Sequence, residues 1–116
     1  MKIIDIEKLL DAEMLCGSEN AQEEIHSACG SDMMSDVLAY VKDQAVLLTG
    51  LVNAQVIRTA EMMDMKCIVF VRSKRPSQGM LDLARESGIA VLTSPKRMYD
   101  ACGILYSNGL RGETNG

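Results

Sequence analysis

Three runs of apolar residues stand out in the second half of the chain, AVLLTG, KCIVFV and IAVLTS, which begin at Ala45, Lys66 and Ile89. Each run is continuous rather than alternating, and this is typical of a strand that is covered on both faces in a parallel sheet. Between the runs, apolar residues recur at helical spacing. The clearest such stripe consists of Val56, Ile57, Ala60 and Met63. The pattern predicts β-α-β-α-β-α with short loops and right-handed crossovers.

The first half carries weaker signals. Its pattern predicts a short amphipathic helix over residues 6–10 and two short strands, over 13–17 and 24–30, each of which ends in glycine. A helix is predicted over 32–42, with Asp32 as its N-cap and an apolar stripe made of Met33, Val37, Tyr40 and Val41. Two of the predicted elements therefore add strands to the sheet, which gives about five strands in all.

Polar residues mark where the later helices begin. Asn53 and Ser77 are predicted to be N-caps, and Ser94 followed by Pro95 has the form of a cap with proline at the first helical position. Residues 110–116 are predicted to form a loose tail. The predicted fold is a single α/β domain over residues 1–116, a three-layer αβα sandwich with a mainly parallel sheet.

Composition and charge exclude several classes of function. The 116 residues have a net charge of −4, so binding to nucleic acid is not expected. Charged residues interrupt the N-terminal apolar segment, which predicts neither a secretion signal nor a membrane span and indicates a cytoplasmic protein. The chain has no G-x-x-x-x-G-K-[ST] and no G-x-G-x-x-G, so the kinase and dehydrogenase interpretations fail, and no cofactor is expected.

The candidate ligand site lies beyond the carboxyl ends of the predicted strands, where ligands of open α/β sheets collect. Thr49, Gly50 and Asn53 join a strand to a helix N-terminus, whose N–H groups favour an anion. The alternative interpretation is that Gly50 only permits a tight turn and Asn53 only caps the helix.

Three cations follow the next strand, namely Arg72, Lys74 and Arg75. Because adjacent parallel strands bring their carboxyl-end loops together, these side chains are expected to share a phosphate or carboxylate with the first turn. Alternatively they are solvated surface charges, or they pair with Asp82 or Glu86.

Histidine and cysteine give little support to catalysis. His26 is the single histidine and has no partner at a recognisable motif spacing, and no metal site is predicted. The four cysteines form no C-x-x-C and are expected to be mostly buried thiols. An enzyme that uses Cys16 or Cys29 near the strand ends stays open as an alternative.

The strings GSDMMSDVLAYV and VLLTGLVNAQVIRTAEMMDMKCIVFVRSKRPSQGMLDLARESGIAVLTSPKRMYDACG resemble the DRTGG domain family over residues 13–105. Such domains occur alone, beside CBS pairs in regulated pyrophosphatases and in phosphotransacetylase-type proteins, and are similar to the N-terminal domain of HPr kinase/phosphorylase. Where the family has Asp-Arg-Thr-Gly-Gly, this chain has Leu-Val-Asn-Ala-Gln at 51–55. Leu51 and Val52 are therefore candidate contacts for a partner.

The resemblance implies a non-catalytic regulatory or ligand-sensing domain. Its expected partners are a second copy of the chain in a homodimer, a partner protein, and an anionic small molecule such as a nucleotide. No contact with nucleic acid or membrane is expected. A purely structural dimerisation module is a third interpretation beside the regulatory and the cysteine-enzyme readings.

Overall fold

The computed structural model describes residues 1–40 and 44–111. The end of the helix predicted over 32–42, with Val41 in its stripe, and most of the predicted tail lie outside the described residues. None of the described helices is long and apolar enough to cross a membrane.

The described chain forms one five-stranded sheet in the order β1-β5-β4-β3-β2. The strands are β1 (Glu13–Cys16), β2 (Ser27–Gly30), β3 (Ala45–Thr49), β4 (Cys67–Phe70) and β5 (Ala90–Thr93). Strands β2 to β5 are parallel, and β1 pairs antiparallel with β5 at one edge. Every residue of β3, β4 and β5 is buried, as their continuous apolar runs predict. The predicted fold class, α/β with a mainly parallel sheet of about five strands, is confirmed.

Helices cover both faces of the sheet. They are α1 (Ile3–Leu9), α2 (Met34–Tyr40), α3 (Ala54–Met62), α4 (Gln78–Glu86) and α5 (Met98–Ser107), and a short 3-10 helix spans Ser18–Asn20. Apolar side chains of α2, α3 and α4 share one core cluster with Leu47, Ile68 and Phe70. Those of α1 and α5 share the other cluster with Val46 and Leu48. Neighbouring strand residues thus face opposite helix layers, which is the αβα sandwich.

Of the four predicted caps, two are confirmed and two, Asp32 and Ser94, are wrong. The side chain of Asn53 accepts from the N–H of Val56 at 3.2 Å, and that of Ser77 accepts from Met80 at 3.3 Å. Asp32, in contrast, does not cap α2, because this helix begins at Met34 and the Asp32 carboxylate bonds to the end of β3.

The later start of α2 also changes its apolar stripe. Met34 and Val37 are buried in the core, whereas Met33 precedes the helix and is 60% exposed. The N–H of Met33 is satisfied by Ser31 Oγ at 2.9 Å instead of by a helical cap. Of the predicted stripe, Val37 is therefore confirmed and Met33 is wrong, because Met34 takes its place in the core.

The predicted Ser94-Pro95 start of the last helix is also wrong, because α5 begins at Met98. Ser94 is buried, and its hydroxyl donates to the carbonyl of Leu10 at 2.7 Å and accepts from the N–H of Lys96 at 3.1 Å. The hydroxyl thus joins the end of β5 to the end of α1, a tertiary role that competes with capping.

The C-terminal segment returns to the sheet. Leu110 is buried, and the N–H of Ala28 in β2 donates to the carbonyl of Arg111 at 3.0 Å. Residues 110 and 111 are therefore packed on the domain, where the sequence predicted the beginning of a loose tail.

Packing of α1 can be tested with Ile6→Ala. Ile6 is completely buried, so we expect the substitution to lower the free energy of unfolding by about 2–5 kcal/mol through lost burial and a residual cavity. Urea unfolding followed by circular dichroism measures the change. Lys8→Ala on the exposed side of α1 is the control, with an expected change within about 0.5 kcal/mol. Equal losses for the two variants would show that α1 is not docked on the sheet.

Candidate functional site

The parallel strands end flush with one another. Thr49 of β3 is in register with Phe70 of β4, which is in register with Thr93 of β5. The segments that follow β2, β3, β4 and β5 consequently meet at one edge, the carboxyl edge of the sheet. This is the edge at which the sequence places a ligand.

Asp32 is an acidic residue at this edge that bonds to the end of β3. Its Oδ1 accepts from the hydroxyl of Thr49 at 2.9 Å and from the N–H of Gly50 at 2.7 Å. The Thr49 hydroxyl oxygen in turn accepts from the N–H of Leu51 at 3.1 Å. The donors that the sequence assigned to an external anion therefore already have a carboxylate acceptor from within the chain.

A left-handed turn at residues 71–74 follows β4. The N–H of Lys74 donates to the carbonyl of Val71 at 3.1 Å, and the two residues between them, Arg72 and Ser73, both have φ of 58°. Two successive positive φ angles are typical of a type I′ turn, which glycine and asparagine usually form. For other residues the left-handed conformation costs about 1–2 kcal/mol each.

Hydrogen bonds to the loop after β5 hold this strained turn in place. The N–H of Arg72 donates to the carbonyl of Lys96 at 2.8 Å, and the N–H of Ser73 donates to that of Ser94 at 2.8 Å. The Thr93 hydroxyl donates to the carbonyl of Lys74 at 2.6 Å. Backbone strain that the surroundings fix in this way clusters at functional sites.

The turn directs the Arg72 side chain toward β3. A Cβ atom built on Gly50 would lie 2.6 Å from Nη2 of Arg72, so the guanidinium rests against the bare backbone of Gly50. Neither Arg72 nor Lys74 forms an ion pair with a described residue. The structure thus brings together Gly50 and Arg72, two members of the predicted site, with an exposed cation between adjacent strand ends.

Arg75 points elsewhere. Its two terminal nitrogens donate to the two carboxylate oxygens of Glu13 in β1, at 3.1 and 3.3 Å. The hydrogen bonds, and then the charge of Arg75, lower the pKa of Glu13 below its usual value. Strands β4 and β5 lie between β1 and β3, so this pair is remote from Gly50. The sequence suggested Asp82 or Glu86 as the ion-pair partner of these cations, and this is wrong for Arg75, which pairs with Glu13. Asp82 pairs with Arg85 instead, at 3.3 Å.

The remaining predicted residues at this edge are Asn53, Leu51 and Val52. Asn53 caps α3, as described above. Leu51 and Val52, which stand where the family's charged pair would be, are half-buried and pack against the core cluster under α2, α3 and α4. Their side chains therefore stabilise the turn after β3 in addition to any contact with a partner.

The four cysteine thiols are disfavoured as thiolates, and the histidine lies at the other edge of the sheet. Burial raises the pKa of the Cys16, Cys29, Cys67 and Cys102 thiols, which favours the neutral form. His26 is exposed at the opposite edge of the sheet, where a cavity of about 660 Å³ is also lined by Asp5, Lys8, Glu24 and Asn108. Within residues 1–40 and 44–111, no three His, Cys, Asp or Glu side chains are grouped so that they could hold a metal ion.

The comparisons with known proteins concern the fold and the family. No curated protein sequence matches the chain. The structure is similar to the crystal structure of the CBS and DRTGG domains of the regulatory region of Clostridium perfringens pyrophosphatase, complexed with the activator diadenosine tetraphosphate, with a TM-score of 0.71 and 15% sequence identity. The match covers 90% of this chain and 45% of the pyrophosphatase chain, so this chain spans less than half of its neighbour, and at this identity the likeness shows the fold.

The family model of the DRTGG domain matches residues 5–107, a range that includes the stretch 13–105 on which the resemblance rests. The chain belongs to the DRTGG domain family.

Proposed function

We propose that this domain is a non-catalytic regulatory module that senses an anionic small molecule, with nucleotides as the first class to consider. The observation that carries the proposal is the placement of Arg72. A strained turn, fixed by backbone hydrogen bonds, holds its guanidinium against Gly50, and no described acidic side chain forms an ion pair with it.

The ligand's phosphate binds to the outer side of Arg72, with Lys74 as a second cation. A guanidinium offers a planar pair of N–H donors that matches two oxygens of one phosphate. Thr49 and Gly50 shape the site without donating to the ligand, because their hydrogen bonds are occupied by Asp32. Asn53 contributes through the cap of α3, and Arg75 contributes only if its pair with Glu13 opens.

The solved neighbour supports a nucleotide as the first ligand to test. That structure is the regulatory region of a pyrophosphatase in complex with diadenosine tetraphosphate, an activator with four linked phosphates. A polyphosphate is also the kind of ligand that two adjacent exposed cations favour.

The proposal includes a homodimer that passes the ligand signal to a partner protein. Large apolar side chains remain exposed on the described surface, including Met33, Leu38 and Met62 on the side of α2 and α3. Leu51 and Val52 lie directly after the Gly50 turn, so a change at the ligand site would reach a partner surface in their vicinity. A purely structural dimerisation module would show the dimer without any response to a ligand.

The rival interpretation, an enzyme that uses Cys16 or Cys29, requires an activated thiolate. Since burial raises the pKa of these thiols, less thiolate is present at neutral pH than in the unfolded chain. At pH 7.5 we expect iodoacetamide to alkylate all four cysteines more slowly in the folded protein than in guanidinium, with the completely buried Cys67 the slowest. Mass spectrometry of timed samples measures the rates. A cysteine that reacts faster in the folded protein would revive the enzyme interpretation.

Arg72→Ala tests the ligand site. The substitution removes the guanidinium but keeps a Cβ, so the strain of the turn is unchanged. A charge-assisted hydrogen bond contributes about 1.5–3 kcal/mol, and we therefore expect affinity for diadenosine tetraphosphate or ATP to fall at least about tenfold in calorimetry. Arg58→Ala is the matched control, because Arg58 is exposed on α3 and makes no ion pair with a described residue. Equal affinities for wild type, Arg72→Ala and Arg58→Ala would refute the site, and the absence of binding to wild type would refute nucleotide sensing.

Asp32→Asn is expected to change nucleotide affinity in the opposite direction from Arg72→Ala. Asparagine Oδ1 accepts the same bonds from Thr49 and Gly50, while the negative charge beside the ligand disappears. We expect nucleotide affinity to rise about two- to tenfold, with a larger rise at low salt, because the lost repulsion is screened by ions. Calorimetry at two salt concentrations measures the effect. A fall in affinity would mean that the Asp32 carboxylate itself contacts the ligand.

A further inference from the structure

Two side chains of opposite charge contact Gly50 from different directions. Oδ1 of Asp32 accepts from the N–H of Gly50 at 2.7 Å. Nη2 of Arg72 would lie 2.6 Å from a Cβ atom built on Gly50, on the side where this residue has no side chain. An exposed carboxylate and an exposed guanidinium are therefore neighbours at the carboxyl edge of the sheet.

Asp32 and Arg72 nevertheless form no ion pair with each other. An ion pair would bring a nitrogen and an oxygen within about 4 Å. Because both groups contact Gly50, the path through this residue limits their separation to about 8 Å. A gap of roughly 4–8 Å thus lies between the two charges.

The backbone keeps this gap open. The bonds from Thr49 and Gly50 hold the Asp32 carboxylate at the end of β3. The left-handed turn at 71–74 sets the point from which the Arg72 side chain extends. The separation of the charges is therefore a feature of the site's framework.

The Asp32 carboxylate also keeps one oxygen for a further ligand. Both of its bonds go to Oδ1, and Oδ2 accepts from no described residue. An ionised carboxylate has about four acceptor positions. Mg²⁺ is usually held by one or two carboxylates together with the phosphates of its substrate and several waters. Asp32 thus supplies the kind of protein ligand that a magnesium nucleotide requires.

We propose that the domain binds its nucleotide as the magnesium complex, with Mg²⁺ between Oδ2 of Asp32 and the phosphate that Arg72 holds. The inference rests on the proposed function, because the phosphates supply most of the metal's ligands. A phosphate bonded to the guanidinium at about 2.8 Å and a metal with Mg–O distances of about 2.0–2.1 Å together bridge a gap of this size. Asp32 by itself supplies one ligand, so the cation enters with the nucleotide.

The cation reverses the effect of Asp32 on affinity. Without metal, the carboxylate repels the phosphate. A divalent cation between the two negative groups attracts both. The rise in affinity expected above for Asp32→Asn therefore applies to the metal-free nucleotide, and the opposite change is expected for the magnesium complex.

Calorimetry with ATP, in MgCl₂ and in EDTA, tests the bridge. For wild type we expect Mg²⁺ to raise the affinity at least about tenfold, because a metal–carboxylate bond is added. For Asp32→Asn we expect Mg²⁺ to lower the affinity, because the metal neutralises phosphate charge that Arg72 and Lys74 attract and no carboxylate binds it in return. Asparagine Oδ1 accepts the same two bonds as before, so the circular dichroism should not change.

Glu86→Gln is the matched control. It removes one negative charge from the exposed end of α4, four residues before β5 begins and thus near the opposite edge of the sheet. We expect this variant to respond to Mg²⁺ as wild type does. Equal wild-type affinities in MgCl₂ and EDTA, or the same gain from Mg²⁺ in Asp32→Asn, overturns the bridge and leaves nucleotide sensing intact. The absence of ATP binding to wild type in both buffers refutes the bridge and the sensing together.

Mn²⁺ locates the metal independently of affinity. It prefers the same oxygen ligands as Mg²⁺, and its paramagnetism broadens the signals of nearby nuclei. With ATP and a trace of Mn²⁺, we expect the amide signals of Asp32 and Gly50 to broaden first in spectra of the ¹⁵N-labelled wild type. Broadening centred on residues away from Asp32 would overturn the assignment of this carboxylate as the metal ligand.

Discussion

The hydrogen bonds from the 71–74 turn to the loop after β5 are the constraint on which the site depends. The N–H groups of Arg72 and Ser73 donate to the carbonyls of Lys96 and Ser94. These bonds hold the backbone of both residues in the left-handed conformation. Without these bonds the turn would relax, because neither residue type favours positive φ. The bonds in turn require β4 and β5 to end in register, and this register follows from the fully buried parallel strands. Core packing thus determines where one surface guanidinium lies.

The free energies of the hydrogen bonds to Asp32 indicate how an anion would bind at this edge. Asp32 accepts two bonds from the end of β3, and hydrogen bonds to a charged group contribute about 1.5–3 kcal/mol each. A ligand phosphate that displaced Asp32 would have to replace both bonds and leave the carboxylate without them. Binding beside Asp32, on Arg72 and Lys74, requires neither. In the proposed complex the negative charge of Asp32 would then lower the affinity for a metal-free anion.

The sequence predicts the sheet well because burial on two faces leaves an unambiguous pattern, as in AVLLTG and KCIVFV. It also predicts the caps Asn53 and Ser77, whose bonds span only three residues. Asp32 and Ser94 were predicted wrongly because their side chains can either cap a helix or bond to a distant part of the chain. Asp32 bonds to Thr49, 17 positions away, and Ser94 bonds to Leu10, 84 positions away, and no local pattern shows this choice. The pair of Arg75 with Glu13 spans 62 positions for the same reason.

The Arg72 turn could not be predicted at all, since the local sequence favours no left-handed residue there and the bonds that impose it come from another loop. The sequence does place Arg72 and Lys74 at the carboxyl edge, because they directly follow a buried strand. The choice among three cations needed the structure, because it depends on which of them another part of the chain neutralises.

A nuclear magnetic resonance titration of the ¹⁵N-labelled protein with diadenosine tetraphosphate tests the central claim most directly. The account predicts that the largest amide shifts, saturating together, belong to Gly50, Arg72, Ser73 and Lys74. Saturating shifts centred instead on His26 and Asn108, at the cavity on the opposite edge of the sheet, would contradict it.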